Sequence, residues 1–543
     1  AEKETNFEKK LKDRIIILED TNQDGVFDKR KVFWDGASQL TSIEIGFGGV
    51  WAACAPNILF LADKNNDDQP DGKPEVILDG FDTDKVRHNI VNGLRWGPDG
   101  WLYGRHGILG PGSKVGTPGT PEKKRTHIQC GIWRYHPIRK TFEIVCHGTT
   151  NPWGHDWDDH GQLFFINTVI GHLWHVVPGA RYQRMYGNHF DKHLYELIQQ
   201  TADHFHWDQG KEHWADLKKK GMTSATDAAG GGHAHTGMMI YLGHNWPKKY
   251  RGNLFTLNFH GLRMNQDTLH RQGAGYVGRH APDLMRTKDK WFRGIELSYG
   301  PDGGVYVLDW SDIGECHEND GIHRTSGRIF KITYGKAAPF AEDLEKLSSP
   351  ELAGLQTHAN DWNVRLARRI LQERATAERP DIPQAQKILR GIYSKNSSIP
   401  HRLRAMWALY VTGSLNEGWL LKQTHDENEH IRVWAIKLLN DGGTTSAAAL
   451  RRFVQMAKTD VAGLVQLHLA STLQRLPHTK RWELAGALVS HDKYAKDPVL
   501  PLMVWYGLNP AIPENRTEAV KLIPKCKLPK VRQFIARRLA GDS

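Results

Sequence analysis

The feature that most constrains this chain is a change of hydrophobic period near residue 336. Upstream of it, short β-branched and aromatic runs are broken every few residues by Gly, Asp, Asn or Pro. Examples are Arg14-Ile15-Ile16-Ile17-Leu18, Gly49-Val50-Trp51-Ala52, Ile58-Leu59-Phe60-Leu61 and Leu163-Phe164-Phe165-Ile166. Runs of this kind read as strands joined by tight turns. Gly-Pro-Asp-Gly followed by a strand-like run occurs at Gly97–Gly100 and again at Gly300–Gly303, and Asp158–Gly161 is a relative of it. Recurrence of one turn–strand unit predicts the blades of a β-propeller. Downstream, apolar residues recur at helical spacing in Asp361–Leu371, Leu403–Leu409, Ile431–Leu439, Leu464–Leu473 and Val531–Leu539. Their starts lie roughly 30–40 residues apart, close to the period of HEAT-type helix pairs. The expected organisation is an all-β propeller over residues 1–336 and an α-helical HEAT-like repeat domain over 337–543. An insertion at about 182–236 is expected to cover one propeller face, with a short helix at Lys192–Gln200 and a glycine tract at Gly230–Gly232.

Charge separates the same two parts. Residues 341–543 carry 30 Lys/Arg against 20 Asp/Glu, whereas residues 1–340 carry 42 against 41. The β part is therefore no nucleic-acid surface, and the basic helical part reads first as a solvated face. No apolar run approaches the ~20 residues that span a bilayer, so no transmembrane segment is expected. The setting expected is periplasmic or secreted; the oligomeric state is left open. The five cysteines form no CxxC, so neither a zinc knuckle nor a haem attachment is encoded. Cys130 and Cys146 flank an expected hairpin, where a disulfide and a pair of buried thiols are both open.

Two patterns point to chemistry. The first is a pair of acidic turns. Asp20, Asn22, Asp24 and Asp28 place oxygen side chains at alternating positions, and Asp63, Asn65, Asp67 and Asp71 repeat the spacing. Hard cations need such oxygens, so calcium is expected in a structural role. Both turns lack the bidentate Glu of an EF-hand, and the competing reading is a hairpin turn held by Asx hydrogen bonds. The second pattern is a set of His, Asn and Arg residues at strand ends. Of 29 histidines, 22 lie in residues 1–340, many in polar Gly-rich loops. His88, Arg105, His106, Asn151, His155, His233, His235, His260, Arg293, Asp312 and His317 are expected to surround one mouth of the propeller channel. His233-x-His235 is also a candidate metal-binding pair.

Residues 93–103, 149–165, 251–263 and 292–334 resemble the blades of glucose/sorbosone dehydrogenases. A closer resemblance is to the planctomycete-type membrane-bound dehydrogenase domain proteins, which join such a propeller to HEAT-like repeats and often to a cytochrome c. It rests on Ile17–Asp20, Asn92–Gly104, Asn151–Asp156, Trp246-Pro247 with Tyr250–Gly252, Tyr276–His280 and Trp310–Asp312 through Gly314–His317 to His323–Ile329. The resemblance implies a quinoprotein-type oxidoreductase acting on a sugar, polyol or polysaccharide, with pyrroloquinoline quinone (PQQ) as cofactor and a cytochrome as redox partner. His88 would be the base, with Arg105, His106, Asn151, His155, His260, Arg293, Asp312 and His317 around it. Arg87, Asn92, Arg263 and Arg328 would contact the cofactor. The pattern is incomplete. The family's Arg-Asn-Pro is Thr150-Asn151-Pro152 here, its quinone-anchoring Lys is His260, Trp291 replaces one of an Arg pair, and no haem motif follows. Two alternatives stand beside this reading. One is a cofactor-free polysaccharide lyase or hydrolase, with Trp153, Trp207 and Trp246 stacking on sugar rings. The other is a non-catalytic propeller that binds carbohydrate or protein.

Overall fold

The computed structural model describes residues 12–22, 24–83, 89–108, 112–209, 221–314, 323, 326–336 and 342–541. Strands fill the part before Thr333 and helices the part after Pro350, as the change of period requires. Strands β1 (Asp13–Glu19) and β2 (Lys29–Ala37) make a hairpin, and five larger sheets follow. The first contains β3 (Leu40–Ile45), β4 (Gly49–Cys54), β5 (Asn57–Ala62) and β6 (Glu75–Leu78). The second contains β7 (Asn92–Trp96) and β8 (Leu102–His106). Beyond a small hairpin, β9 (Ser113–Val115) with β10 (Thr126–Ile128), it continues with β11 (Gly131–His136) and β12 (Thr141–Thr149). The third contains β13 (Asn151–Trp157), β14 (Leu163–Thr168) and β15 (Leu173–His175), after which β16 (Arg181–Arg184) returns to lie parallel to β12. The fourth contains β17 (His235–Ile240), β18 (Leu254–Asn258), β19 (Arg263–Gln272) and β20 (Gly275–Arg286), and the fifth β21 (Gly294–Tyr299), β22 (Val305–Asp309) and β23 (Arg328–Ile332).

The first strands of consecutive sheets are neighbours, tied by hydrogen bonds that cross between sheets. Leu94 N donates to Ser42 Oγ (2.8 Å), Arg95 Nη1 to the His155 carbonyl (3.1 Å), Ile240 N to Asp156 Oδ2 (2.9 Å) and Thr236 Oγ1 to the Gly294 carbonyl (2.7 Å). Thus β3, β7, β13, β17 and β21 follow one another around a shared interior. The turn after each first strand then lies at one end of the array, and the loop after each second strand at the other.

The recurring turns seat the helices. Asn360, which caps the helix Asp361–Thr376, donates its Nδ2 to the Gly300 and Pro301 carbonyls (both 2.9 Å). Gln372 Nε2 donates to the Gly100 carbonyl (3.1 Å), and Trp434 Nε1 to the His160 carbonyl (2.7 Å). The three turns that repeat in the sequence are therefore three docking points for one helical layer. A single core runs through the junction, with Trp101, Tyr103, Trp157 and Trp174 packed alongside Trp407, Trp434 and Trp505. Gly161 sits at φ +69°, where a Cβ would lie 2.6 Å from the rings of both Trp407 and Trp434. Gly161→Ala should cost at least ~1–2 kcal/mol from backbone handedness alone, plus displacement of two buried indoles. Denaturant titration followed by Trp fluorescence checks this; an unchanged midpoint would mean the turn is not seated on the helices.

One local expectation changes and one open alternative is resolved. Lys192–Gln200 is not a helix, and the helix near the end of the insertion is Ser224–Ala229. Leu194 and Ile198 are instead buried in the core shared with the helical layer, Ile198 bridges Tyr182, and Tyr506 Oη donates to the Glu196 carbonyl (2.8 Å). Packing against the helical layer overrides a modest local propensity. Cys130 and Cys146 are buried free thiols, as are Cys54 and Cys526.

Candidate metal centre

On the end of the array away from the helices, a group of imidazoles converges on one carboxylate. His172 stands in the turn between β14 and β15, where its carbonyl accepts from Asn167 N (3.0 Å). His204 and His206 come from the insertion. That segment is pinned between the third and fourth sheets by Thr201 N to the Leu173 carbonyl (2.8 Å) and Asp203 N to the Gly278 carbonyl (3.1 Å). The glycine tract closes over it, with Gly232 N donating to the His206 carbonyl (2.8 Å). Asp267 projects from the middle of β19 and is fully buried.

The four side chains bring one ligand atom each to within 4.8 Å of all the others. His172 Nε2 lies 2.8 Å from Asp267 Oδ2, and His204 Nε2 lies 3.1 Å from Asp267 Oδ1. The Nε2 atoms of His204 and His206 face each other at 3.2 Å. Ligands bound to a tetrahedral zinc at ~2.0–2.1 Å lie ~3.3–3.4 Å apart, so these separations are close to the edges of a coordination polyhedron. Asp267 Oδ1 is buried and faces two of the imidazoles, with His204 Nε2 at 3.1 Å and His206 Nε2 at 3.9 Å. Outer partners orient the rings in the way metal-bound histidines are held. Asp203 Oδ1 is 3.0 Å from His204 Nδ1, and His235 Nε2 is 2.7 Å from His206 Nδ1.

Electrostatics set the imidazoles apart around an ionised carboxylate: His206 is held neutral and His204 is favoured in its charged form. Burial, then the neighbouring His172, hold both His206 and His235 well below the usual imidazole range. Burial would raise Asp267, but His172 and the other imidazoles outweigh it and hold the carboxyl well below its ordinary value. Burial would lower His204, yet the Asp267 and Asp203 carboxylates hold it above the usual range. His204 also has the most exposed side chain of the four, at 17%, so the cluster meets solvent on that edge. Three imidazoles and one carboxylate suit zinc, iron or manganese.

The sequence-predicted residues fall into distinct roles. His235 lies directly behind the cluster. His233 packs edge-on against His260 (4.6 Å between centroids) and beside Trp207 (5.2 Å). His155 and Arg105 face the interior shared by the first strands. His106 is committed to structure: its Nδ1 donates to the Gly107 carbonyl (2.7 Å), its Nε2 meets Ser113 Oγ (2.8 Å), and burial pushes it down to about 4. Asn151 N donates to Asn167 Oδ1 (2.7 Å). Asp312 Oδ1 closes a turn by accepting from Gly314 N (3.0 Å). Arg293 spends its guanidinium on the carbonyls of Lys290, Phe292, Ile313 and Gly314. Arg87, His88 and His317 lie outside the described residues.

Three of the expected quinone contacts, Arg263, Arg328 and Asn92, are occupied by the protein itself. Arg263, 1% exposed, pairs with Asp227 and with Asp283 (3.0 Å). Arg328 pairs with Asp289 (2.7 Å) and Asp309 (2.6 Å). Asn92 Nδ2 bonds the Ile90 and Pro152 carbonyls (3.0 and 3.4 Å). A tricarboxylate needs free cations, and of the arginines expected to meet it Arg263 and Arg328 are neutralised within the protein. Trp246 is likewise no sugar platform: it is buried, stacks on Tyr241 (4.7 Å) and donates to the Ile332 carbonyl (3.2 Å). The acidic turns are copies of one another. Asp24 N bonds Asp20 Oδ1 (3.2 Å) and Asn22 Oδ1 (3.0 Å), and Asp67 N bonds Asp63 Oδ1 (3.1 Å) and Asn65 Oδ1 (3.3 Å). Asp28 and Asp71 close the two turns by accepting from Thr21 N (3.0 Å) and Lys64 N (2.9 Å).

His172, His204, His206 and Asp267 were not among the sequence candidates. The usable signal was His204-x-His206 within the insertion, a second His-x-His beside His233-x-His235. Nothing local marks Asp267, a carboxylate in mid-strand.

Fold and site together define a class: a multi-sheet β array with a buried three-histidine, one-aspartate cluster on one end and a helical layer on the other. Residues 2–334 match the family described as Domain of unknown function (DUF7133), and the chain belongs to that family. No curated protein matches it. Among solved structures, it is similar to an oxidoreductase of glucose dehydrogenase type from Thermus thermophilus, at 16% identity over 56% of this chain and 87% of that one, TM-score 0.37. It is also similar to a luciferin-regenerating enzyme (13% identity, 58% and 83% of the two chains, TM-score 0.32). A protein described as a gluconolactonase gives 14% identity, 52% and 75% coverage and TM-score 0.28. Likeness at this level carries no argument about activity. Among the described residues, no helix is long and apolar enough to cross a membrane.

Proposed function

We propose that this chain is a metalloenzyme with one divalent transition-metal ion held by His172, His204, His206 and Asp267, acting hydrolytically on a carbohydrate-type substrate. The five sheets are read as propeller blades of the glucose/sorbosone dehydrogenase kind and the helical layer as HEAT-type pairs. The observation that carries the reading is the convergence of three imidazoles and one buried carboxylate, each with a ligand atom within 4.8 Å of all the others. An ion there would supply Lewis acidity, lowering the proton affinity of a bound water or hydroxyl. The protein's own part is to fix the ligands through Asp203 and His235 and to present His233, His260 and Trp207 beside them. Trp207 offers an aromatic wall for a sugar ring, and the exposed edge at His204 gives access. Metal-dependent hydrolysis is preferred to the quinoprotein reading because Arg263 and Arg328 are paired within the protein.

Metal analysis of purified chain is expected to find about one equivalent of zinc, iron or manganese. Chelation should abolish turnover of sugar lactones or glycosides, and the metal should restore it. Chain that retains no transition metal at micromolar concentrations would refute the reading. We also propose calcium as a structural ion in the paired acidic turns, expected in the same samples at up to two further equivalents.

A further inference from the structure

A second polar site lies where the first strands meet, apart from the histidine cluster. Ser42 and Glu44 of β3, Arg95 of β7, Arg105 of β8, His155 of β13 and Glu296 of β21 line a cavity of about 150 Å³. That is smaller than the ~300–1,000 Å³ of sites for drug-sized ligands, so its occupant is small. Arg105 and His155 are each 3% exposed. Arg105 Nε and Nη1 and both ring nitrogens of His155 have no hydrogen-bond partner. The nearest carboxylate to Arg105 is Glu296, 3.6 Å away from Nη2. The arrangement is built rather than incidental, because Gly93, at φ +69°, leaves the space that the Arg105 guanidinium fills, and any Cβ there would run into it.

Buried donors without acceptors cost ~1–3 kcal/mol each, and more for charged groups. The group that relieves this cost is an acceptor of negative charge. The charges around the cavity leave room for one. Arg95 shares Asp156 with Arg365, and Glu296 offsets only part of the Arg105 charge. Burial pushes Glu44 up to about 7 and Arg105 down to about 10. Burial, then the Arg105 charge, keep His155 neutral, with one N–H to donate.

We propose that this axial cavity binds a small monoanion of the carboxylate class, held by Arg105 and His155. The proposal is independent of the metal reading. Isothermal titration with acetate, against chloride as control, is expected to give saturable one-to-one binding. Glu296→Gln removes the competing carboxylate and should tighten acetate about tenfold. Arg105→Gln should weaken it at least 100-fold. His155→Phe, which fills the same space, serves if Arg105→Gln fails to fold, and should weaken acetate at least tenfold. Absence of acetate binding in both the wild type and Glu296→Gln would overturn the proposal. So would undiminished binding in the Arg105 or His155 variant, or equal affinity for chloride.

Discussion

Asp441→Ala is expected to destabilise the protein by at least ~2–3 kcal/mol, because buried donors left without an acceptor cost ~1–3 kcal/mol each. Asp441 lies just past the helix Glu429–Leu439 and is 5% exposed. Its carboxylate accepts from Trp101 Nε1 (2.9 and 3.1 Å), Arg139 Nη2 (2.6 Å) and Tyr410 Oη (2.7 Å), and pairs with Arg134 Nη2 (3.0 Å). Arg134 in turn holds Asp99 (2.9 Å), which accepts from Tyr103 Oη (2.7 Å). One carboxylate of the helical layer thus satisfies an indole, a phenol and two guanidinium groups, three of them from the β array. Its removal leaves the Trp101 indole and the Tyr410 phenol without this acceptor and strips the carboxylate from Arg139, while Arg134 keeps Asp99 and Glu143. Burial would raise Asp441, but Arg134 and Arg139 outweigh it and hold the carboxyl below its ordinary value. Its contribution is therefore complete above ~pH 4, the unfolded aspartate value, and is lost as pH falls toward the depressed folded value. At neutral pH the defect should be independent of pH. Calorimetry is expected to split one unfolding transition into two, the helical layer loosening first. A single transition at the wild-type temperature would show that the junction is held by its apolar core alone.

The change of period announces strands before 336 and helices after it because each element buries one face, and burial imposes its own spacing. The turns at Gly97, Asp158 and Gly300 were legible as a repeat for the same reason. Their second duty, seating helices more than 270 residues away in the case of Gly100 and Gln372, has no local trace. The basic residues were legible as types and not as roles. Arg263 reads the same in sequence whether it faces a cofactor or Asp227 and Asp283, and Arg328 whether it faces a cofactor or Asp309. Lys192–Gln200 fails for a related reason: Leu194 and Ile198 are spaced as a helix would space them, yet the segment is fixed by Trp505 and Tyr506, which bond its His193 and Glu196 carbonyls from 312 and 310 residues downstream. The histidine cluster draws on a turn, an insertion and mid-strand Asp267, and only the assembled fold brings them together.

Asp267→Ala should lower transition-metal affinity by more than ~100-fold, beyond the 10–100-fold that loss of an outer partner costs. Three reasons converge on this residue. It is the only carboxylate in the cluster, so its loss leaves neutral imidazoles to meet a divalent charge. Its Oδ1 faces the Nε2 atoms of His204 and His206, two of the other ligands. It also touches two of the three histidines, at 2.8 Å from His172 and 3.1 Å from His204, so their positions loosen with it. Asp203→Asn, which keeps the shape and removes the charge behind His204 Nδ1, should fall in the milder 10–100-fold class. The control is stability with and without metal. An ion that binds only the folded wild type at 100 times its Kd adds ~2.7 kcal/mol, so zinc should raise the wild-type unfolding temperature and leave that of Asp267→Ala unmoved. A plain hydrogen-bonded cluster behaves differently. Asp267→Ala would then destabilise the chain by the same amount in zinc and in chelator, zinc would not shift the wild type, and the metal centre would be disproved.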